Sequence, residues 1–261
     1  MKIFQYIIAF FRLILVLLNA LYHMYWSVFL VVSKRFNQER ALRITRSWGR
    51  STLEIMKVKV EVQGSFPERK TLILPNHRSY LDVFVVLGYY PSMIVSKKEV
   101  GRWPIVRVAI KIHKIILVDR SSNRSRVKTI ESIIKVLNGG SSVILFPEGT
   151  THIGPLTKNF KTGTFRIASE NNIPVVPVAI DYKDDRDAWI DDDTFVGHFF
   201  RQMGKPVSHV KLRFGPKLHN EDHRVLLSQS KEWIDESLVK MRKEYNKIKS
   251  QSDDLLPGQA I

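Results

Sequence analysis

The first thirty or so residues carry a pattern of apolar and polar positions that predicts one long helix. Residues 3–32 are mostly apolar, and their polar side chains recur at intervals of four and seven residues. At 3.6 residues per turn, this spacing collects the polar side chains on one narrow stripe of a helix about 45 Å long. The stripe consists of Gln5, Arg12, Asn19, His23 and Ser27.

Two placements of this helix fit the pattern equally well. It could lie deep in a membrane interface, or it could cross the bilayer at a tilt and pack its stripe against protein. A cleaved signal peptide is disfavoured, because Arg12 interrupts the apolar segment and no small-residue cleavage site follows. We therefore expect residues 1–35 to form a hydrophobic membrane-anchoring helix.

A second amphipathic helix is predicted over residues 39–56. Trp48 and several aliphatic side chains share one face, and Arg43, Arg46 and Arg50 lie on the opposite face. The helix could dock at a lipid surface, or it could pack on the core with a basic face in water.

Beyond residue 56, apolar segments with a period of two alternate with segments of helical spacing. Strands are predicted at residues 57–62, 71–74, 92–97, 114–119, 142–147, 173–180 and 209–215. Helices are predicted at residues 79–90, 125–140, 160–172 and 225–250, and in part of 100–112. The alternation predicts an α/β fold, with a mainly parallel mixed sheet flanked by helices. We take residues 36–250 as one domain and residues 251–261 as a C-terminal tail.

Charge and composition narrow the classes of partner. Lys and Arg total 41 against 25 Asp and Glu, a net charge of +16, which draws the protein to polyanions. The apolar first helix favours an anionic membrane surface over nucleic acid, and no helix-turn-helix or RNP-type pattern occurs. The absence of cysteine excludes disulfides, thiolate catalysis and Cys-ligated metals. Seven aspartates crowd residues 181–195, which we interpret as a solvated acidic loop without a defensible magnesium spacing.

Candidate chemistry lies in three turns that follow predicted strands. The carboxyl ends of parallel strands share one edge of a sheet, and functional groups collect there. The turns carry His77 and Asp82, then Asp119 and Arg120, then Glu148, Gly149 and Thr150.

His77 and Asp82 suit general-base chemistry. A carboxylate bonded to one imidazole nitrogen fixes the tautomer and leaves the other nitrogen free to accept a proton. The alternative is a structural pair, in which Ser79 is the N-cap of the next helix and Asp82 favours its N-terminus.

The other two turns suit anion binding, although each has a plainer explanation. Glu148 and Gly149 would offer a carboxylate and backbone N–H groups to a polar ligand, or form a simple turn. Arg120, Arg124 and Arg126 crowd a helix start, where they would bind phosphate or form a solvated basic face.

Taken as a set, these segments resemble the 1-acylglycerol-3-phosphate acyltransferase (PlsC-like) family of glycerolipid acyltransferases. Four segments are similar to the family's four motifs in order: NHRSYLD (76–82), ILVDR (116–120), FPEGT (146–150) and VVPVAI (175–180). NFKTGTF (159–165) is similar to the Lys-x-Gly segment that follows the third motif. The resemblance covers about residues 58–216 and makes 36–250 the catalytic domain.

The resemblance implies a membrane-bound O-acyltransferase with its catalytic domain on the cytoplasmic face. His77 would deprotonate the hydroxyl of 1-acylglycerol-3-phosphate and Asp82 would orient it. The acyl group would come directly from acyl-CoA or acyl carrier protein, giving phosphatidic acid without a cofactor, a metal or an acyl-enzyme. A nucleophilic Ser79 relayed by His77 is the mechanistic alternative.

The resemblance also implies a substrate pocket. Arg120 would bind the acceptor's phosphate, and the remaining candidates are Asn76, Glu148, Gly149, Thr150, Lys161 and Gly163. Lys161 would add charge there, or lie on a solvated helix.

One departure from the family opens a second acceptor class. Thr151 stands where many members have an arginine after Glu-Gly-Thr. An acceptor with a zwitterionic or amino-acid head group is therefore the alternative substrate. A non-enzymatic basic membrane- or nucleic-acid-binding protein is the alternative of another class.

Overall fold

The computed structural model describes residues 3–98, 110, 112–113, 115–119, 123–190 and 193–254. The predicted helical segment at 100–112 and the side chain of Arg120 lie outside the described residues.

Two helices precede the sheet, as predicted. Helix α1 spans Ile3–Val32, and helix α2 spans Gln38–Ile55. The side chain of Asn37 caps α2 by accepting a hydrogen bond from the backbone N–H of Arg40 at 2.9 Å. By length and composition α1 could cross a membrane, and most of its surface is unburied.

The polar stripe of α1 faces protein. Arg12 donates to the backbone oxygen of Met203 at 2.8 Å, and Asn19 donates to the hydroxyl of Thr52 at 3.1 Å. The remaining faces of α1 expose large apolar side chains, among them Phe4, Phe11, Leu18 and Tyr25. The polar stripe therefore joins α1 to the domain, while the apolar faces of α1 stay exposed, as expected of a surface that contacts a partner or a membrane.

In the described part of the chain, seven strands form one mixed sheet. They are β1 (Val58–Gln63), β2 (Leu72–Pro75), β3 (Met93–Lys97), β4 (Ile116–Val118), β5 (Val143–Ile144), β6 (Val175–Tyr182) and β7 (Ser208–Phe214). The strand order is β1-β7-β6-β2-β5-β3-β4. Every pairing is parallel except β6 with β7, which is antiparallel. The predicted fold class is confirmed.

Helices cover both faces of this sheet. They are α3 (Leu81–Tyr89), α4 (Asn123–Asn138), α5 (Thr162–Glu170), α6 (Phe195–Met203) and α7 (His223–Asp254). Successive residues of β2 enter different cores: Ile73 packs with α2 and α3, whereas Leu72 and Leu74 pack with α4, α5 and α7. A strand that is buried on both faces has a continuous apolar sequence, so residues 71–74 could be predicted as a strand from the sequence.

Two local features differ from the prediction: the N-cap of α3 is not Ser79, and the chain has a further helix, α6. Helix α3 begins at Leu81 with Tyr80 as its N-cap, and the hydroxyl of Ser79 lies 3.4 Å from the N–H of Leu81. Helix α6 was not predicted. Thr194 caps it by accepting from the N–H of Gly197 at 3.2 Å.

In the described part of the acidic segment, several aspartates are buried or ion-paired, contrary to the predicted solvated loop. Asp181 and Asp187 are 0% and 1% exposed, and Asp187 pairs with Lys205. Arg201 pairs with Asp193 at 2.7 Å. The basic partners of these carboxylates lie on or beyond the next helix. The local amino-acid composition therefore could not predict the ion pairs.

Candidate active site

Asn76 fixes the point at which the chain leaves β2. Its side-chain NH₂ donates to the backbone oxygen of Ile180 at 3.0 Å, and its amide oxygen accepts from the N–H of Ile180 at 2.7 Å. The side chain is 1% exposed. The amide thus continues the pairing of β2 with β6 by one residue and presents His77 at the edge of the sheet.

His77 and Asp82 form the predicted pair. Nδ1 of His77 lies 2.9 Å from Oδ2 of Asp82, which also accepts from the backbone N–H groups of Arg78 at 2.6 Å and Ser79 at 2.9 Å. Oδ1 accepts from the hydroxyl of Tyr182 at 2.6 Å. A carboxylate that receives this many donors acts as an acceptor, so Nδ1 carries the hydrogen and the lone pair lies on Nε2.

The surroundings of Asp82 also act on Tyr182. Burial raises the pKa of Tyr182 well above its ordinary value, and the negative charge of Asp82 adds to the shift. The phenol therefore stays protonated and remains a donor at every pH at which the protein would act.

The third motif holds His77 from the other side. Glu148 accepts from the backbone N–H of His77 at 2.8 Å and from that of Lys158 at 2.8 Å, each through a different oxygen. The His77 ring stacks on Phe146, with centroids 4.2 Å apart. Burial raises the pKa of Glu148, while its two N–H partners act in the opposite direction. Both carboxylate oxygens are thus bonded to backbone, so Glu148 positions the His77 turn.

Arg78 lies beneath the same turn and was not singled out from the sequence. It is 3% exposed, and Nη1 donates to the backbone oxygens of His152, at 3.1 Å, and Gly154. Its Nε lies 3.8 Å from Asp181, a carboxylate that also pairs with Arg242 at 2.7 Å. Burial raises the pKa of Asp181 to about 6, despite the two guanidinium groups.

The predicted glycine and lysine positions also meet near this turn. Gly149 has φ +72°, and a Cβ there would lie 2.7 Å from Nζ of Lys161. Lys161 is the N-cap of α5 and donates its backbone N–H to Pro147 at 2.9 Å. A Cβ on Gly163 would meet open space, and Thr150 is half-buried beside Gly149. The loop of Glu148, the lysine and the start of α5 therefore adjoin the His77 turn.

The second motif is described only in part. Asp119 pairs with Nζ of Lys98 at 3.1 Å, and Arg120 lies outside the described residues. Strand β4, which precedes it, is the third strand from β2 in the sheet order, or about 14 Å away at the usual strand spacing.

The described side chains do not form a recognisable metal site. Among the residues that the structure describes, no group of three or more His, Asp or Glu side chains has an arrangement that could hold a metal ion.

Comparison with known proteins identifies a family profile within the chain. Residues 57–181 match the family profile described as Acyltransferase. The lyso-ornithine lipid O-acyltransferase of Rhizobium meliloti is 27% identical over 69% of this chain and 68% of its own length. The 1-acyl-sn-glycerol-3-phosphate acyltransferase of Neisseria meningitidis is 30% identical over 52% of this chain and 54% of its own length.

The lyso-ornithine lipid O-acyltransferase of Pseudomonas aeruginosa is 29% identical over 62% of this chain and 64% of its own length. The matched region thus spans between about half and two thirds of these curated relatives. The crystal structure of PlsC from Thermotoga maritima, a 1-acyl-sn-glycerophosphate acyltransferase, shares the fold. It matches with a TM-score of 0.62 and 20% identity, over 88% of this chain and 98% of that one. Residues 57–181 thus carry the Acyltransferase profile, and the chain is similar to 1-acyl-sn-glycerol-3-phosphate acyltransferases, as its four motifs predict.

Proposed function

We propose that the protein transfers a fatty acyl group from acyl-CoA or acyl carrier protein to the hydroxyl of 1-acylglycerol-3-phosphate, giving phosphatidic acid. The observation that carries this proposal is the 2.9 Å contact between Nδ1 of His77 and buried Asp82. The His77 side chain is 19% exposed, and no described residue forms a hydrogen bond with its Nε2. An oriented imidazole with a reachable lone pair is what deprotonation of an alcohol requires.

The reaction follows from this geometry in two steps. As the acceptor oxygen attacks the thioester carbonyl, Nε2 takes the hydroxyl proton and Asp82 stabilises the resulting imidazolium. When the tetrahedral intermediate collapses, the C–S bond breaks and the imidazolium returns its proton to the leaving thiolate. The products are the ester and the free thiol, and the acyl donor is a co-substrate, so no cofactor is needed.

The acceptor's phosphate is proposed to bind at the third turn. The ammonium group of Lys161 lies close to Gly149, and Lys161 is the N-cap of α5, whose N-terminus carries the positive end of the helix dipole. Gly163 lies in the first turn of α5, where a Cβ would meet open space, and Thr150 follows Gly149 in the chain. Arg120, in the second motif, is proposed as a further phosphate ligand from its sequence motif.

A second acceptor, with a zwitterionic or amino-acid head group, is favoured by one observation. The backbone N–H of Trp189 donates to the backbone oxygen of Arg78 at 2.9 Å. This contact places the acidic segment next to the His77 turn. A cleft of about 270 Å³ beside it carries both signs of charge. Its lining is Ile153, Asp185, Arg186, Ala188, Ile190, Asp193 and Arg201. Mixed charge suits a zwitterion better than a phosphate dianion, and two relatives are named for lyso-ornithine lipid.

The membrane role is proposed from α1. Its stripe contacts the domain from Arg12 to Ser27, about 22 Å along the axis, so a crossing helix would draw the domain into the bilayer. We place α1 in the plane of the membrane interface, with residues 36–250 as a catalytic domain on the cytoplasmic face. The net charge of +16 favours an anionic lipid surface.

A panel of lysolipid acceptors tests the proposal. The full chain in detergent micelles is given one labelled acyl-CoA, or the matching acyl carrier protein, with lysophosphatidic acid, lysophosphatidylethanolamine or a lyso-amino-acid lipid. The first proposal predicts phosphatidic acid as the main labelled product. Preference for a zwitterionic acceptor supports the second candidate, and failure to acylate any acceptor contradicts both.

A further inference from the structure

The end of β6 holds the first motif at three consecutive positions. Each of three successive β6 residues contacts a different residue of the NHRSYLD segment. The pairs are Ile180 with Asn76, Asp181 with Arg78, and Tyr182 with Asp82. The last pair involves the carboxylate that contacts His77, so it acts closest to the chemistry.

The contact of Tyr182 with Asp82 has the features of a strong hydrogen bond. The two oxygens are 2.6 Å apart, within the range of a charge-assisted O–H···O⁻ bond, and the side chains are 1% and 0% exposed. Among the described residues, Tyr182 is the sole donor to Oδ1, whereas His77 and two backbone N–H groups share Oδ2.

Two consequences follow for His77. The bond at Oδ1 prevents the carboxylate from rotating, which keeps Oδ2 in line with Nδ1 of His77. It also withdraws negative charge from the carboxylate, because the phenol O–H and the imidazole N–H compete for it. A carboxylate that shares its charge with a phenol stabilises an imidazolium less, so removing the phenol hydroxyl should strengthen the interaction of Asp82 with protonated His77.

We propose that Tyr182 is a positioning residue for the base: through Asp82, its hydroxyl fixes the orientation of His77 and limits the negative charge that Asp82 offers to it. This inference rests on the proposed function, since it takes His77 as the base. Because Tyr182 is buried behind Asp82, we expect its loss to change kcat and the pH profile and not the KM for substrate.

The first test replaces only the hydroxyl. In full-length Tyr182→Phe, we expect kcat to fall roughly tenfold, the scale of one hydrogen bond to a charged group, with KM unchanged. The acid limb of the pH–rate profile should move to higher pH, because Asp82 no longer shares charge with the phenol and stabilises the imidazolium more. Tyr245→Phe is the matched control: its buried hydroxyl donates to the backbone oxygen of Asp181 at 3.2 Å and does not contact Asp82.

The second test strengthens the bond instead of removing it. Incorporating 3-fluorotyrosine at position 182 makes the phenol a better donor, so the acid limb should move to lower pH, opposite to the phenylalanine variant. Thermal unfolding confirms that each variant is folded, and the fluorinated protein gives an answer even if Tyr182→Phe does not fold.

Two results overturn the inference. One is a folded Tyr182→Phe protein whose kcat and acid limb match the wild type or the Tyr245→Phe control. The other is a shift of the same sign in the fluorinated and phenylalanine proteins. His77→Ala distinguishes a failure of this inference from a failure of the proposed function. If His77→Ala is inactive while Tyr182→Phe is normal, the role of Tyr182 is wrong and the role of His77 stands.

Discussion

The backbone N–H of His77 donates to Glu148 at 2.8 Å, so the third motif of the chain holds the first. The contact joins residues 71 positions apart, across the neighbouring strands β2 and β5. Glu148 therefore has a structural role: one carboxylate oxygen accepts from the N–H of His77, and the other accepts from the N–H of Lys158.

Replacing Glu148 by Gln should therefore damage the site through structure. A Gln oxygen can accept from one N–H, but its NH₂ would face the other, leaving a buried donor unpaired at about 1–3 kcal/mol. We expect lower stability in thermal unfolding and a fall in kcat, with a smaller change in KM. Unchanged unfolding and activity would contradict this role. Glu236→Gln, on the exposed face of α7, is the matched control.

Lys161→Ala tests the proposed phosphate site. Loss of the ammonium group over Gly149 should raise KM for lysophosphatidic acid several-fold, the scale of about 1 kcal/mol for a partly exposed charge contact, and leave KM for a zwitterionic acceptor nearly unchanged. Steady-state kinetics with both acceptors checks it, with Lys240→Ala on α7 as the control. Equal effects on both acceptors would remove the assignment of phosphate to Lys161.

The in-plane placement of α1 can be tested by labelling, because the chain has no cysteine. Single-cysteine variants Ile3→Cys and Val32→Cys mark the two ends of the helix, where the side chains are 81% and 76% exposed. In inside-out vesicles, an impermeant maleimide should label both ends, as it labels the domain control Lys240→Cys. Labelling of only one end would show that α1 crosses the bilayer.

Asp181 should make stability depend on pH. Burial raises its pKa from 3.8 to about 6, so between these values the unfolded chain has lost a proton that the folded protein keeps. The contribution of this group to stability therefore falls as pH rises from about 4 to about 6, and is constant above. Relative to wild type, Asp181→Asn should gain stability across that window. Denaturant unfolding at pH 4.5 and pH 7 checks this, and a difference independent of pH would contradict it.

The sequence revealed the parts of the site that are local or follow a period. His77 and Asp82 are five residues apart, so one turn brings them together, and the strands of the sheet were apparent as buried apolar runs. Tyr182 could not be found in this way. It reaches Asp82 from 100 residues away, because β6 happens to lie beside β2, and strand order is not encoded in periodicity.

The acidic segment shows the same limit for charge. Asp181 and Asp187 were interpreted as solvated because like charges usually face water. Their cations are Arg242 on α7 and Lys205 after α6, which only the fold brings near. A signal was nevertheless present, since Asp181 and Tyr182 directly continue the apolar run of β6, where a polar residue is buried only if it is bonded.

The most direct measurement is the turnover of His77→Ala with the preferred acceptor, compared with His219→Ala, which replaces an exposed histidine outside the site. The account predicts a folded, membrane-bound His77→Ala protein whose transfer rate is lower by at least ~10², the scale of a lost general base, and a His219→Ala protein like wild type. Near-normal transfer by a folded His77→Ala protein would contradict the account.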